Sequence, residues 1–231
     1  MSIAISDGIN TVNTTASVNS NSYSVTGLDL STLDDGTLSI RADVNDLAGN
    51  SATQATDSTS KDSTPPTISV AINDGGDGRL NTAEVGSVAI AGTTSGAEDG
   101  QTVSIAISDG INTVNTTASV NSNSYSVTGL DLSTLDDGTL SIRADVNDLA
   151  GNSATQATDS TSKDSTPPTI SVAINDGGDG RLNTAEVGSV AIAGTTSGAE
   201  DGQTVAINIS SAAGGTPCLL YTSPSPRDPT K

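Results

Sequence analysis

Residues Ser2–Val103 and Ser104–Val205 are the same 102 residues without one substitution. No other feature limits the fold as strongly. A solenoid repeat runs at roughly 20–50 residues, about half this period or less. A small β-domain of about 100 residues matches it. The chain therefore reads as beads on a string. Perfect identity fits a recent duplication, recombination that keeps copies alike, or an assembly error in a repetitive gene. None of the three favours catalysis: a second active site adds little, whereas a second spacer adds length.

The stretch Asp62–Glu84, repeated as Asp164–Glu186, marks the boundary between copies. It reads as a linker (Asp62-Ser-Thr-Pro-Pro66), a first strand and an acidic loop. Counting from Asp62 divides the chain into residues 1–61, a partial repeat with strands three to seven; 62–163, a complete repeat; and 164–217, a partial repeat with strands one to three. Met1 stands where the next copy has Val103, as a GTG codon read as a start would produce, so the chain is expected to begin inside a repeat. Residues 218–231 have another character. Cys218–Asp228 back-translates into a string that resembles a transposase-library sequencing adapter through eleven codons, and this tail is read as non-biological.

Composition excludes several chemistries. The lone Cys lies in that tail, and there is no His, Trp or Phe. A disulfide framework, a zinc site and a Cys/His nucleophile are thereby excluded from the repeats. Each copy carries 11 Asp and 2 Glu against 2 Arg and 1 Lys, a net charge of −10. Nucleic acid and anionic membrane both require basic patches, so neither is an expected partner. No apolar run approaches the roughly 18 residues of a membrane span. Low apolar content raises disorder as an alternative, but clean alternation of Ile and Val argues against it.

That alternation supplies the strands. In the complete repeat it predicts Thr67–Ile72, Val85–Ala91, Thr102–Ser108, Asn112–Val120, Ser124–Thr128, Thr139–Val146 and a weak Ser153–Thr161. Val103, Ile105, Ile107, Tyr125, Leu140 and Ile142 are expected inside. Asp109-Gly110, Asn121-Ser-Asn123 and Asn147–Asn152 supply turns. Seven short strands so spaced predict an all-β chain of tandem immunoglobulin-like sandwiches.

The abundant Asp points to turns or to divalent cations. Asn73–Glu84 aligns with an EF-hand loop at Asn73, Asp77, Gly78, Leu80 and Glu84, but Gly75 falls where a ligand is needed and strands flank it instead of helices. A true EF-hand is not expected. The loop reads equally as an Asx turn or as a Ca2+ loop of another geometry, with Asp74, Asp77 and Glu84 as ligands, and Asp176, Asp179 and Glu186 in the next copy. A second arrangement lies at the poles of the sandwich, where successive loops alternate. It expects Asp7, Asp34 and Asp35 to face Asp62, Glu98, Asp99 and Asp148 at one junction. At the next, Asp109, Asp136 and Asp137 would face Asp164, Glu200 and Asp201. Acid against acid repels, and Ca2+ there would turn repulsion into a joint. For any single one of these Asp residues, a solvated turn remains the simpler reading.

Five motifs in order, Asp-Ser-Thr-Pro-Pro, Asp-Gly-Arg-Leu-Asn-Thr-Ala-Glu, Gly-Ala-Glu-Asp-Gly-Gln-Thr-Val, Leu-Asp-Asp-Gly-Thr-Leu and Asp-Leu-Ala-Gly-Asn, run through residues 2 to about 210. Together they resemble the bacterial Ig-like repeats of very large surface adhesins, the repeat-in-toxin and biofilm-associated proteins exported by type I secretion. The resemblance implies a secreted, cell-surface extender, often stiffened by Ca2+, whose partners are its neighbouring repeats and whose adhesive ligand binds elsewhere in the full protein. An enzyme is not expected: adjacent carboxylates such as Asp136-Asp137 cannot straddle a substrate, and there is no nucleophile elbow. A carbohydrate- or host-surface-binding module is the alternative, weakened by the missing aromatic platforms.

Overall fold

The computed structural model describes residues 1–210 and, as backbone, the strand Cys218–Leu220. The rest of the predicted non-biological tail lies outside the described residues. Two compact units are present, Met1–Asp164 and Ser165–Lys231. The described elements are strands and turns throughout. No helix among them is long and apolar enough to cross a membrane.

In the first unit, residues 1–61 form β1 (Ser2–Ser6), β2 (Thr11–Thr15), β3 (Gly36–Asp43) and β4 (Ala55–Lys61). The complete repeat contains β5 (Thr67–Ile68), β6 (Ala71–Asn73), β7 (Arg79–Leu80), β8 (Val88–Ser95), β9 (Thr102–Ser108), β10 (Thr113–Ser119), β11 (Ser124–Leu130), β12 (Gly138–Asp145) and β13 (Ala157–Lys163). One sheet runs β10-β9-β12-β13-β7; the other pairs β11 with β8, and β8 with β5 and β6. Neighbours are antiparallel except β13 and β7, which run parallel. This is the expected two-sheet sandwich.

Alternation drives it. Val103, Ile105 and Ile107 of β9 and Leu140, Ile142 and Ala144 of β12 are buried, with Leu80, Ile90, Val120, Leu132 and Tyr125 opposite or beside them. The core is aliphatic, as expected, and Tyr125 is its one aromatic. The Tyr125 hydroxyl donates to Ser69 O at 2.6 Å. Gly92 makes that possible, because a Cβ there would lie 2.6 Å from the hydroxyl.

The expected first strand is broken. Between β5 and β6, Ser69 exchanges bonds with Thr93 and accepts from Tyr125. The expected start of the second strand at Val85 is instead a turn, and β8 begins at Val88 and continues to Ser95, past the expected end at Ala91. The last strand lies later than expected, at Ala157–Lys163. Strand β7 sits inside the acidic loop, where the sequence predicts no strand.

Residues 1–61 form one sheet, ordered β2-β1-β3-β4. Its members correspond to β10, β9, β12 and β13, each shifted by 102 positions. Ser22–Leu28, the counterpart of β11, is not a strand. The second unit contains β14 (Thr169–Ile170), β15 (Ala173–Asn175), β16 (Ala191–Ala193), β17 (Thr196–Ser197), β18 (Ile207–Ile209) and β19 (Cys218–Leu220), which pair as β14-β17, β15-β16 and β18-β19.

Candidate functional site: acidic loops and the inter-repeat joint

The acidic loop is built from turn chemistry. Asn73, Asp74 and Asp77 each accept a bond from the amide two residues on, at Gly75, Gly76 and Arg79. These are Asx turns, which short polar side chains form readily. Gly75, Gly76 and Gly78 hold the positive φ that the path needs. Arg79–Leu80 then pairs with β13, burying Leu80. Asn81 and Glu84 close the loop reciprocally: Asn81 Oδ1 accepts from the Ala83 amide at 2.8 Å, and Glu84 Oε2 accepts from the Asn81 amide at 3.0 Å. That is a capping box around a single turn. Gly75, the position lacking a side-chain ligand, leaves room for Glu84, whose Oε1 lies 2.9 Å from where a Cβ would be. Asp74 also accepts from the Thr161 hydroxyl of β13 at 2.9 Å. That hydroxyl first, and the Gly76 amide second, hold the Asp74 carboxyl below its usual range. In the second unit Asp176, Asp179 and Glu186 repeat the pattern on the amides of Gly178, Arg181 and Asn183.

The hairpin tips follow the same logic. Asp109 accepts from the amides of Ile111 and Asn112 through Oδ1 and of Asp136 through Oδ2. These donors, Asp136 foremost, hold its carboxyl well below the carboxylate range. Asp7 does the same with Ile9, Asn10 and Asp34, and Asn10 contributes most to its depressed pKa. Each such Asp pins the corner that follows to the hairpin, so Asp34 and Asp136 take part through their backbone. At the opposite pole Glu98 accepts from the Leu149 amide at 2.8 Å, and Asp99 from the Ser122 amide at 2.7 Å. Asp148 is buried, which opposes its ionisation, yet the Asn152 side chain and amide outweigh this and lower its pKa.

At the joint between residues 1–61 and the complete repeat, the acids are answered by other groups. Asp35 meets Lys61 Nζ at 2.7 Å. It also accepts from the Ser63 amide at 3.0 Å, the Ser63 hydroxyl at 2.8 Å and the Thr64 hydroxyl at 2.8 Å. Lys61 first, then these groups, hold its carboxyl well below the usual range. On the other side, Asp62 Oδ1 accepts from the Thr64 amide, and its carbonyl accepts from the Asn152 side chain at 3.2 Å. Pro66 is buried and packs against Gly96. The five-residue linker is thus tied at both ends. At the outgoing end of the complete repeat, Lys163 donates to Leu135 O and to Asp137, and the Asp164 amide donates to Leu80 O. In the second unit the Glu200 carbonyl accepts from the Gln203 amide, and Asp201 lies in the exposed turn beside it.

Among the described residues, no three acidic side chains form a group that could hold a metal ion. Ca2+ needs about six to eight oxygens. The structure therefore disperses the predicted ligands instead of gathering them, and as placed they do not fit a preformed calcium site. Sequence reasoning gave Lys61 no role. Its signal was position: the single Lys of each copy directly precedes the linker.

No protein-family model matches the chain, and no curated protein matches it. Solved structures are similar to it. One is a tetra-tandem repeat in the extending region of a large adhesion protein, 28% identical, covering 96% of this chain and 55% of that one, with a TM-score of 0.44. This chain thus spans about half its length. Another concerns host cell surface retention of a 1.5-MDa bacterial ice-binding adhesin, 23% identical, covering 96% of this chain and 72% of that one, with a TM-score of 0.45.

Proposed function

We propose that this chain is a run of extender repeats from a large bacterial cell-surface adhesin, holding a distal adhesive domain away from the cell. The observation that carries this reading is the tied joint: Asp35 gathers Lys61, Ser63 and Thr64, while Asn152 holds the Asp62 carbonyl. A spacer needs that device. It must pass its direction from one bead to the next, and a short proline-containing linker bonded on both sides does so. The acidic surface keeps a long chain soluble and discourages beads from collapsing on one another.

The test labels Thr37→Cys and Thr158→Cys with spin labels in a Cys218→Ser background and measures the distance between them. A fixed joint gives one narrow distribution; a broad one would rule out the extender role. Stiffening by Ca2+ is a separate part of the proposal. For it, loop carboxylates would have to leave their amide partners. The same measurement in excess Ca2+ and in chelator decides the matter: narrowing supports calcium, and identical distributions remove it while leaving the joint.

A further inference from the structure

The acid of the complete repeat is not spread evenly. No charged residue occurs from Gly110 to Leu130, a run that holds β10 and β11. These are outer strands of the two sheets, and they lie beside one another. The opposite flank is charged and closed: β13 pairs with β7, Asp159 accepts from the Ile72 amide at 2.9 Å, and Asp74 accepts from the Thr161 hydroxyl. Among the described residues nothing closes β10 in this way. All of residues 62–163 are described around it, so its free edge belongs to the bead itself.

Edge strands are ordinarily blunted by Lys, Pro, a bulge or shortness. Strand β11 has a bulge between Val127 and Leu130. Strand β10 has none of these devices: it is seven residues long, uncharged, without Pro, and in unbroken register with β9. Asn112 and Val120 turn their backbone groups toward the β9 side. Alternation then leaves the N–H and C=O groups of Thr113, Asn115, Thr117 and Ser119 facing outward. No described strand other than β9 pairs with β10, and the side chains of these four residues are exposed.

We propose that β10 is a self-association edge: the β10 strands of two copies pair antiparallel about a two-fold axis at Thr116, with Thr113 opposite Ser119 and Asn115 opposite Thr117. This register matches outward-facing backbone groups along the whole strand, and Thr, Ser and Asn side chains hydrogen-bond across such pairs. The partner is a second copy for two reasons. A basic partner would settle on the acidic poles, whereas a neutral edge suits a partner whose own edge is neutral. The edge also recurs every 102 residues, a spacing that a second array of the same repeats matches, so each further bead adds a contact. Each contact is isologous. Arrays paired this way run in opposite directions. On the extender reading, on which this consequence alone rests, they project from two facing surfaces.

Sedimentation of the full chain in a Cys218→Ser background tests the edge. Its weight-average mass should rise above 22.7 kDa with concentration, more at high salt, where self-repulsion is screened. Asn115→Asp with Thr117→Asp, repeated as Asn13→Asp with Thr15→Asp in the other copy, sets acid opposite acid and should weaken association about 100-fold. The corresponding four Lys substitutions should also abolish it, yet the Asp and Lys chains should pair when mixed, which misfolded chains would not do. Thr116→Cys should give a disulfide-linked dimer because Thr116 faces itself. Thr113→Cys, roughly 20 Å from its counterpart, should not. A chain that is monomeric at every concentration, an Asp chain that associates equally well, Asp and Lys chains that stay apart, or cross-linking through Thr113 in place of Thr116 overturns the pairing. None of these outcomes bears on the spin-label distances that test the extender role.

Discussion

Asp7 and Asp109 are half-buried and Asp35 is exposed, and each organises its surroundings. Each accepts from two or more amides or hydroxyls, and each carboxyl is held well below its usual value. A carboxylate with a depressed folded pKa stabilises the fold above its unfolded value and loses that contribution as pH falls toward the folded one. Stability should therefore be level near neutrality and decline below about pH 4. Asp109→Ala should lower the melting midpoint of the complete repeat by a few degrees at pH 7 and make its remaining acid dependence shallower. Melting curves between pH 2 and 7 check both. A residue-scale prediction of opposite sign concerns Thr94. Its Oγ1 is buried with no hydrogen-bond partner among the described residues, and a buried hydroxyl left unpaired costs roughly 1–3 kcal/mol. Thr94→Val keeps the β-branched shape that β8 favours. It should raise stability by about 1 kcal/mol in urea unfolding, within that range.

At the scale of the element, identical sequence does not give identical structure. Ile142 of β12 is fully buried, whereas Ile40, at the same place in β3, is only half-buried because residues 1–61 form a single sheet. Ile142→Ala should cost about 2–5 kcal/mol, and Ile40→Ala less. Urea unfolding followed at amide signals of each half separates the two. The alternation of Val103, Ile105 and Ile107 makes β9 legible in the sequence itself, as Leu140 and Ile142 do for β12. What the sequence hides are long-range exchanges. Nothing local says that Tyr125 takes the carbonyl of Ser69, or that the Ile72 amide finds Asp159 at 2.9 Å. Those bonds break the first strand. Strand β7 is hidden for a related reason: Arg79–Leu80 lies in a loop by composition and becomes a strand only when β13 is beside it. The partners of the acids are not legible, since a count of Asp cannot show that backbone amides already bond Asp7, Asp62, Asp99 and Asp109.

For the whole molecule, the question is whether one bead fixes the direction of the next, and Asp35 is where that is decided. It receives four donors: Lys61 Nζ, the Ser63 amide, the Ser63 hydroxyl and the Thr64 hydroxyl. Only the first is an ion pair, and exposed ion pairs are weak and screened by salt. The other three are hydrogen bonds to a carboxylate, which salt leaves largely intact. Replacing Asp35 removes all four at once. Asp35→Ala should therefore broaden the Thr37–Thr158 label distribution markedly while leaving the melting of the complete repeat unchanged, because Asp35 lies outside that repeat. Molar salt should broaden it far less. Lys61→Gln should resemble molar salt, since an amide can still donate. If Asp35→Ala keeps the narrow distribution, the direction of the chain is set by Pro65, Pro66 and the Asn152 bond, and the carboxylate is incidental to the joint.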